Sequence, residues 1–361
     1  MTDRRDFLKV SLGSVLAIGA GGFLAACGGD DDDSASGSSD TTGGGSSSTQ
    51  PAAPQKLTAM MPFAVGINFI ADTAAAAGGF FTANGLDLDL QFAQSAPLAL
   101  QQLAAGNVSV IRNAPIAVVR SVSQEGAPFV AIGMPNQEAL YRLVSTEDEP
   151  VDDLASLEGK TVGMATLAGN AEDTFVLVLR GAGINPDAVT RVAVGNDAAA
   201  LAFVEDGRVD ALFATLESTA TMKEQGQNPH IAELEGLNPL LGTAIVTTHQ
   251  KIADERDAIV AYLRSVGQSM RAVMDPDQLD ELIPKVADAY DVPGMDDPAA
   301  AKPVIAAIAS LWTAAGEDNL LRNVPERWEE GVAQFERLKI AKEGSDPTTF
   351  YTNDLLDEAT S

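Results

Sequence analysis

The chain has 361 residues, with 51 Asp and Glu against 23 Lys and Arg, for a formal net charge of −28 at pH 7. Residues 1–56 hold seven of the acids and four of the bases, so nearly all of the negative excess lies beyond them; a body that acidic repels phosphate backbones, which excludes nucleic acid as a partner. Two histidines and one cysteine leave no His-rich or Cys-rich metal site and no disulfide, and make histidine acid–base catalysis improbable. No metal or cofactor is expected.

Residues 1–27 read as a targeting segment, with Arg4-Arg5 in a charged start and an apolar, glycine-containing run from Val10 to Ala26. The arginine pair followed by Phe7-Leu8-Lys9 resembles a twin-arginine export signal, with general secretion as the alternative route. Leu24-Ala25-Ala26-Cys27-Gly28 resembles a bacterial lipobox, in which Cys27 is lipidated. The other reading is a membrane anchor, which the length allows but the glycines and serines weaken. Residues 28–55 are rich in Gly, Ser, Asp and Thr, with too little apolar surface to fold, and are expected to be a disordered tether reaching roughly 30 Å. The expected location is the outer face of the cell membrane, or the periplasm.

Residues 57–61 form a first strand that ends in Pro62-Phe63-Ala64-Val65-Gly66-Ile67-Asn68. A helix through 72–77, a strand at 86–92, a helix at 97–105 and a strand at 108–111 follow. Arg112-Asn113-Ala114 is a loop, Pro115 opens a helix, and 129–133 is another strand. Alternating β and α units with short connections predict a parallel sheet wrapped by helices.

The pattern then restarts. Strands are predicted at 161–164, 190–194 and 209–213, with helices from Ala171 and at 198–205 between them. The segment Leu103 to Val110 echoes Val204 to Ala211: helix end, glycine, buried strand, polar loop. After an extended run at 241–247 the chain is helical at 253–273, 277–289, 298–314 and 325–338. These elements predict an α/β protein of two lobes, 56–143 plus 245–361 and 144–244, with a two-segment hinge and a C-terminal helical section. Ligands favour the cleft that such lobes face.

The stretch from Ser156 to Asp173 is the clearest candidate for a binding loop: a short strand turns through Thr166 and Asn170 into a helix, aiming free N–H groups above the sheet. Gly159-Lys160-Thr161 is no phosphate loop, because Leu154 stands where the motif needs glycine. The other loops at the expected cleft supply Phe63, Gly66, Asn68, Asn113, Thr215 and Glu217. Phe63 would stack on a flat ligand or pack in the core. Asn68 and Asn113 suit a polar neutral heterocycle, or are helix caps. Glu172 and Asp173 in the first helical turn would disfavour an anion there or are merely solvated, and Arg112, the nearby cation, is expected to turn outward. His230 and His249 read as surface loop residues.

Residues 56 to about 356 resemble the substrate-binding proteins of bacterial ABC importers, in the branch that joins sulfonate, taurine and nitrate binders (SsuA-like) to NMT1/THI5-like pyrimidine proteins. The stretches that carry it are Ala75-Ala76-Ala77-Gly78-Gly79-Phe80-Phe81 with Gly85-Leu86-Asp87-Leu88, Leu157-Glu158-Gly159-Lys160-Thr161-Val162-Gly163, Gly207-Arg208-Val209-Asp210-Ala211 and Phe350-Tyr351-Thr352-Asn353-Asp354-Leu355-Leu356. The resemblance implies a periplasmic-binding-protein type 2 fold, a monomer that binds a small molecule, a membrane permease as partner, and no enzyme activity. Phe63 and Asn68 stand where pyrimidine binders usually have tryptophan and histidine, and Ser109 where the family often has aspartate. The eukaryotic pyrimidine-making relatives rely on a cysteine-rich motif that this body lacks. The expected ligand is a neutral or weakly cationic nitrogen heterocycle; the alternative is a sulfonate, taurine or nitrate.

Overall fold

A computed structural model describes residues 53–167, 170–195, 198–232, 234, 240 and 242–361, Asn170 through its backbone alone. The chain divides into Met1–Gln50 and Pro51–Ser361, and the expectations for the export segment, for Cys27 and for nearly all of the tether lie outside the described residues.

The first half builds β1 (Gln55–Met61), α1 (Ile70–Ala77), α2 (Phe80–Ala83), β2 (Leu86–Phe92), α3 (Ala96–Ala104), β3 (Val110–Asn113), α4 (Pro115–Arg120) and β4 (Phe129–Asn136). The chain then makes β5 (Tyr141–Thr146), β6 (Thr161–Met164), α5 (Asn170–Gly181), β7 (Thr190–Ala193), α6 (Leu201–Glu205), β8 (Ala211–Thr215), α7 (Leu216–Glu224) and β9 (Pro229–Ala232). It returns through β10 (Thr243–Thr248) and closes with α8 (His249–Met274), α9 (Pro276–Ala289), α10 (Pro298–Trp312), α11 (Pro325–Arg337) and α12 (Asp354–Thr360).

Two sheets result, in the orders β2-β1-β3-β10-β4 and β7-β6-β8-β5-β9. In each, strands joined by helical crossovers pair in parallel, β1 with β2 and β3, and β6 with β7 and β8. Where the reading of alternating units predicts parallel sheets throughout, both sheets are mixed. The antiparallel members are β10, between β3 and β4, and β5, between β8 and β9. Each begins directly after the chain arrives from the other sheet, so no crossover helix sets its direction.

Sheet membership puts the two passages between Asn136 and Tyr141 and between Ala232 and Thr243. The boundaries expected at 143 and 245 therefore fall inside β5 and β10. Residues 142–145 look like a bridging strand in sequence, yet they pair on both sides within the second sheet. Gly242 marks the second passage: a Cβ there would lie 1.9 Å from the Asn136 carbonyl oxygen and 2.9 Å from that of Glu138. Only glycine lets the two passages run so close.

The largest core covers one face of the first sheet. The fully buried alanines of α1, Ala71, Ala74 and Ala75, allow α8 to approach closely, and Phe81 stacks on Tyr262 with centroids 5.6 Å apart. Inside this core the Arg112 guanidinium donates from Nε and Nη2 to Asp72, whose other oxygen accepts from the Tyr262 hydroxyl at 2.5 Å. Arg112 is thus buried, not turned outward, because the α1 carboxylate draws it under the sheet. The C-terminal segment closes against β4, where Phe350 and Thr352 exchange backbone hydrogen bonds with Ala131 at 2.9 Å. His249 is exposed at the start of α8, whereas His230 belongs to β9 and is partly buried, 2.7 Å from Asp152.

Candidate functional site

The loops that leave β1, β2, β6 and β8 converge with the passage into β5 on a cleft of about 590 Å³. The cleft size is that of a site for a small organic molecule. From the first sheet come Phe63 to Gly66, Asn68 and Gln94 to Pro97; from the second come Tyr141, Ala165, Thr166, Ala171, Thr215 and Glu217. Local rules set the loop ends. Ser95 caps α3 by accepting from the Leu98 N–H, and Thr215 caps α7 by accepting from the Ser218 N–H at 3.1 Å.

Six of the eight predicted ligand residues line this one cleft: Phe63, Gly66, Asn68, Thr166, Thr215 and Glu217. Phe63 is 38% exposed, so its ring is offered to solvent and is not core. Gly66 is there for close approach, since a Cβ on it would sit 2.7 Å from Asn68 Oδ1 and 3.9 Å from Glu217 Oε1, a carboxylate of the opposite lobe. The Thr215 hydroxyl is occupied by its capping bond and by Ser218 Oγ at 2.9 Å, so it gives the cleft shape more than hydrogen bonding.

Asn113 does not line the cleft. It is buried, donates to the Ala96 carbonyl at 3.2 Å and accepts from the Ala114 N–H at 2.8 Å, and so fixes the start of α3 from behind. Asn170 opens α5, and its side chain lies outside the described residues. Glu172 is turned away to Arg191 of β7, at 2.8 Å, so the charge of this first turn is partly neutralised.

Tyr141 is the residue that sequence reasoning missed. It looks like part of a bridging segment, yet as the first residue of β5 it stands at the cleft, its ring stacked on Phe213 at 4.9 Å and 15°. Phe213 in turn leans on Phe175 at 5.0 Å, so the platform is backed by the core of the second lobe. Burial pushes the Tyr141 phenol well above its ordinary pKa, keeping it a neutral donor. Gln94 and Pro293 also line the cleft.

One carboxylate dominates the electrostatics. Burial pushes Glu217 up to about 7, and among the described residues its carboxylate has neither a hydrogen bond nor an ion pair. No Lys, Arg or His lines the cleft among the described residues. The arrangement can stack a flat ring, exchange hydrogen bonds through Asn68 and Gln94, and meet a positive or proton-donating group at Glu217.

The family model described as NMT1/THI5 like matches residues 67–279. A search of curated proteins gives no match. Among solved structures, the periplasmic aliphatic sulphonate binding protein SsuA of Escherichia coli is similar at 15% identity and a TM-score of 0.59, over 82% of this chain and 96% of that one. The alkanesulfonate-binding protein SsuA of Xanthomonas axonopodis pv. citri, bound to MOPS, gives 16% and 0.53, over 71% and 85%. The periplasmic nitrate-binding protein NrtA of Synechocystis gives 13% and 0.62, over 85% and 88%. At such identities these likenesses establish the two-lobed periplasmic-binding-protein fold. With its sequence matched across both sheets by the family model, the chain belongs to the NMT1/THI5-like family.

Proposed function

We propose that this chain is the extracytoplasmic solute-binding component of an ABC importer, held at the membrane through lipid on Cys27, and that it delivers a small polar nutrient to a permease. The solute is a neutral or weakly cationic nitrogen heterocycle, of which a pyrimidine precursor of thiamine is one example. Binding bridges the lobes and favours the closed arrangement that the permease recognises. The body has no cysteine and the cleft no histidine among the described residues, so the chain is read as a binder and not as an enzyme.

The observation that carries this reading is the charge of the cleft: an unpaired carboxylate, an aromatic on each side, and no cation among the described residues. A sulfonate or nitrate needs donors and positive charge to replace its water. The similar proteins named for those anions favour the opposite reading, but Arg112 here is committed to Asp72.

A thermal-shift screen against nutrients, followed by calorimetry, tests the proposal. A ligand present at a hundred times its dissociation constant adds about 2.7 kcal/mol of stability. Heat from a pyrimidine or related heterocycle supports the reading; heat from taurine or nitrate, with none from any heterocycle, overturns it.

A further inference from the structure

A second cavity of about 400 Å³ shares Glu217 and Pro293 with the first and lies between α7 and α10, the helices through which the lobes touch away from the two passages. Its two walls differ in kind. The α7 wall presents Glu217, Thr221 and Glu224, while the facing wall presents Ile67, Ala300 and Val304.

The α7 wall is mainly acidic, with Ser218 and Gln225 beside the two carboxylates. The Thr221 hydroxyl is spent on the Glu217 carbonyl at 3.0 Å, and neither carboxylate has an ion pair among the described residues. Glu217 and Glu224 are seven residues apart on one helix, which sets them on the same face, about 10 Å apart along the axis. An acidic wall facing an aliphatic one suits a methylene chain that carries ammonium groups, its carbons on Ile67 and Val304 and its nitrogens toward the carboxylates.

We infer that the solute has two ends: a flat ring in the front chamber, against Phe63 and Tyr141, and a cationic alkylamine tail that passes Glu217 into the rear chamber toward Glu224. This rests on the solute-binding reading and departs from its weakly cationic heterocycle toward ring-bearing di- or polyamines. Small pyrimidines would then fill only the front chamber.

Three probes separate the ends in calorimetry on the whole chain: benzylamine, N-hexylbenzylamine and N-benzylhexanediamine. The diamine is expected to bind roughly tenfold more tightly than the hexyl compound, whose tail lacks the terminal cation. Glu224→Gln, at an exposed position, should remove that advantage and leave benzylamine unchanged. Ala300→Phe should fill the rear chamber, weakening both tailed compounds and sparing benzylamine. Equal affinity of the three probes, a diamine advantage that survives both substitutions, or silence from all three overturns the two-ended ligand. The proposed function is decided separately: it stands if the nutrient screen still yields a heterocycle, and falls if only taurine or nitrate gives heat.

Discussion

Arg112 donates from Nη2 to Asp72 Oδ2 at 2.9 Å, with both side chains buried between the first sheet and its helices. The pair commits Arg112 to the core, where it cannot serve an anionic solute. It also sets the protein a stability condition, because either charge alone in that core would be uncompensated. Asp72→Asn is expected to cost on the order of 3 kcal/mol or more in urea unfolding, and the double change Asp72→Leu with Arg112→Met much less. Equal losses from the single and double variants would show that packing, not charge, is what the pair supplies.

Glu217 gives the protein a pH signature. Its folded value of about 7 stands above the ordinary 4.5 because burial disfavours the charged form. The folded state therefore holds this proton more firmly than the unfolded chain, so stability falls as pH rises from about 4.5 toward 7 and stays reduced above that. The groups that face the site are the neutral Tyr141 phenol, Asn68 across the cleft and Glu224 farther along α7. Glu217→Gln should stabilise the protein by roughly 1 kcal/mol at about pH 8 and hardly at all at about pH 5, as read by denaturant midpoints.

The same group reports on the solute. A cationic ligand should bind more tightly as pH rises through about 7, and below that value should release a proton on binding. A ligand that accepts a hydrogen bond from the neutral carboxyl would show the reverse slope. Calorimetry in buffers of different ionisation enthalpy reads the proton directly.

Tyr141 separates stacking from hydrogen bonding. Tyr141→Phe keeps the ring on Phe213 and should leave stability nearly unchanged, while Tyr141→Ala should cost on the order of 3 kcal/mol through loss of the buried ring. For a ring-bearing ligand, the alanine variant should lose roughly tenfold in affinity or more and the phenylalanine variant much less. Loss of affinity in Tyr141→Phe as large as in Tyr141→Ala would assign the contribution to the hydroxyl.

Gly242 tests the passages between the lobes. An added methyl meets the Asn136 carbonyl at a distance no carbon can occupy, and the obstacle is backbone, which a rotamer change cannot relieve. Gly242→Ala should destabilise by roughly 1–3 kcal/mol and alter lobe closure, seen as a changed ligand-induced shift in small-angle scattering. A variant with unaltered midpoint and unaltered closure would show that the passages carry no such constraint.

Much of the architecture is legible in the residues. Short apolar runs at 57–61 and 161–164 and apolar–polar alternation at 86–92 locate strands, and such stretches recur in two sets because each lobe must cover its own sheet. Loops at strand ends can be listed from that order alone, which is why Phe63, Asn68, Thr166 and Glu217 were in reach. Local composition cannot say which loop residue points forward: Asn113 and Asn68 look alike in sequence, yet one is tied to Ala96 and the other faces the cleft.

Two α/β lobes, an expected cleft between them and a strongly acidic body follow from the residues alone, because periodicity, turn chemistry and net charge are properties of the chain read locally. The charge and the walls of the cleft come from contacts between distant segments. Asp72 and Arg112 are forty residues apart, and Tyr141 and Phe213 farther still, so no local signal announces that one pair cancels in the core and the other builds a platform. Pairings of that kind are fixed by packing between distant segments, and among the described residues they leave Glu217 as the unpaired carboxylate of the cleft.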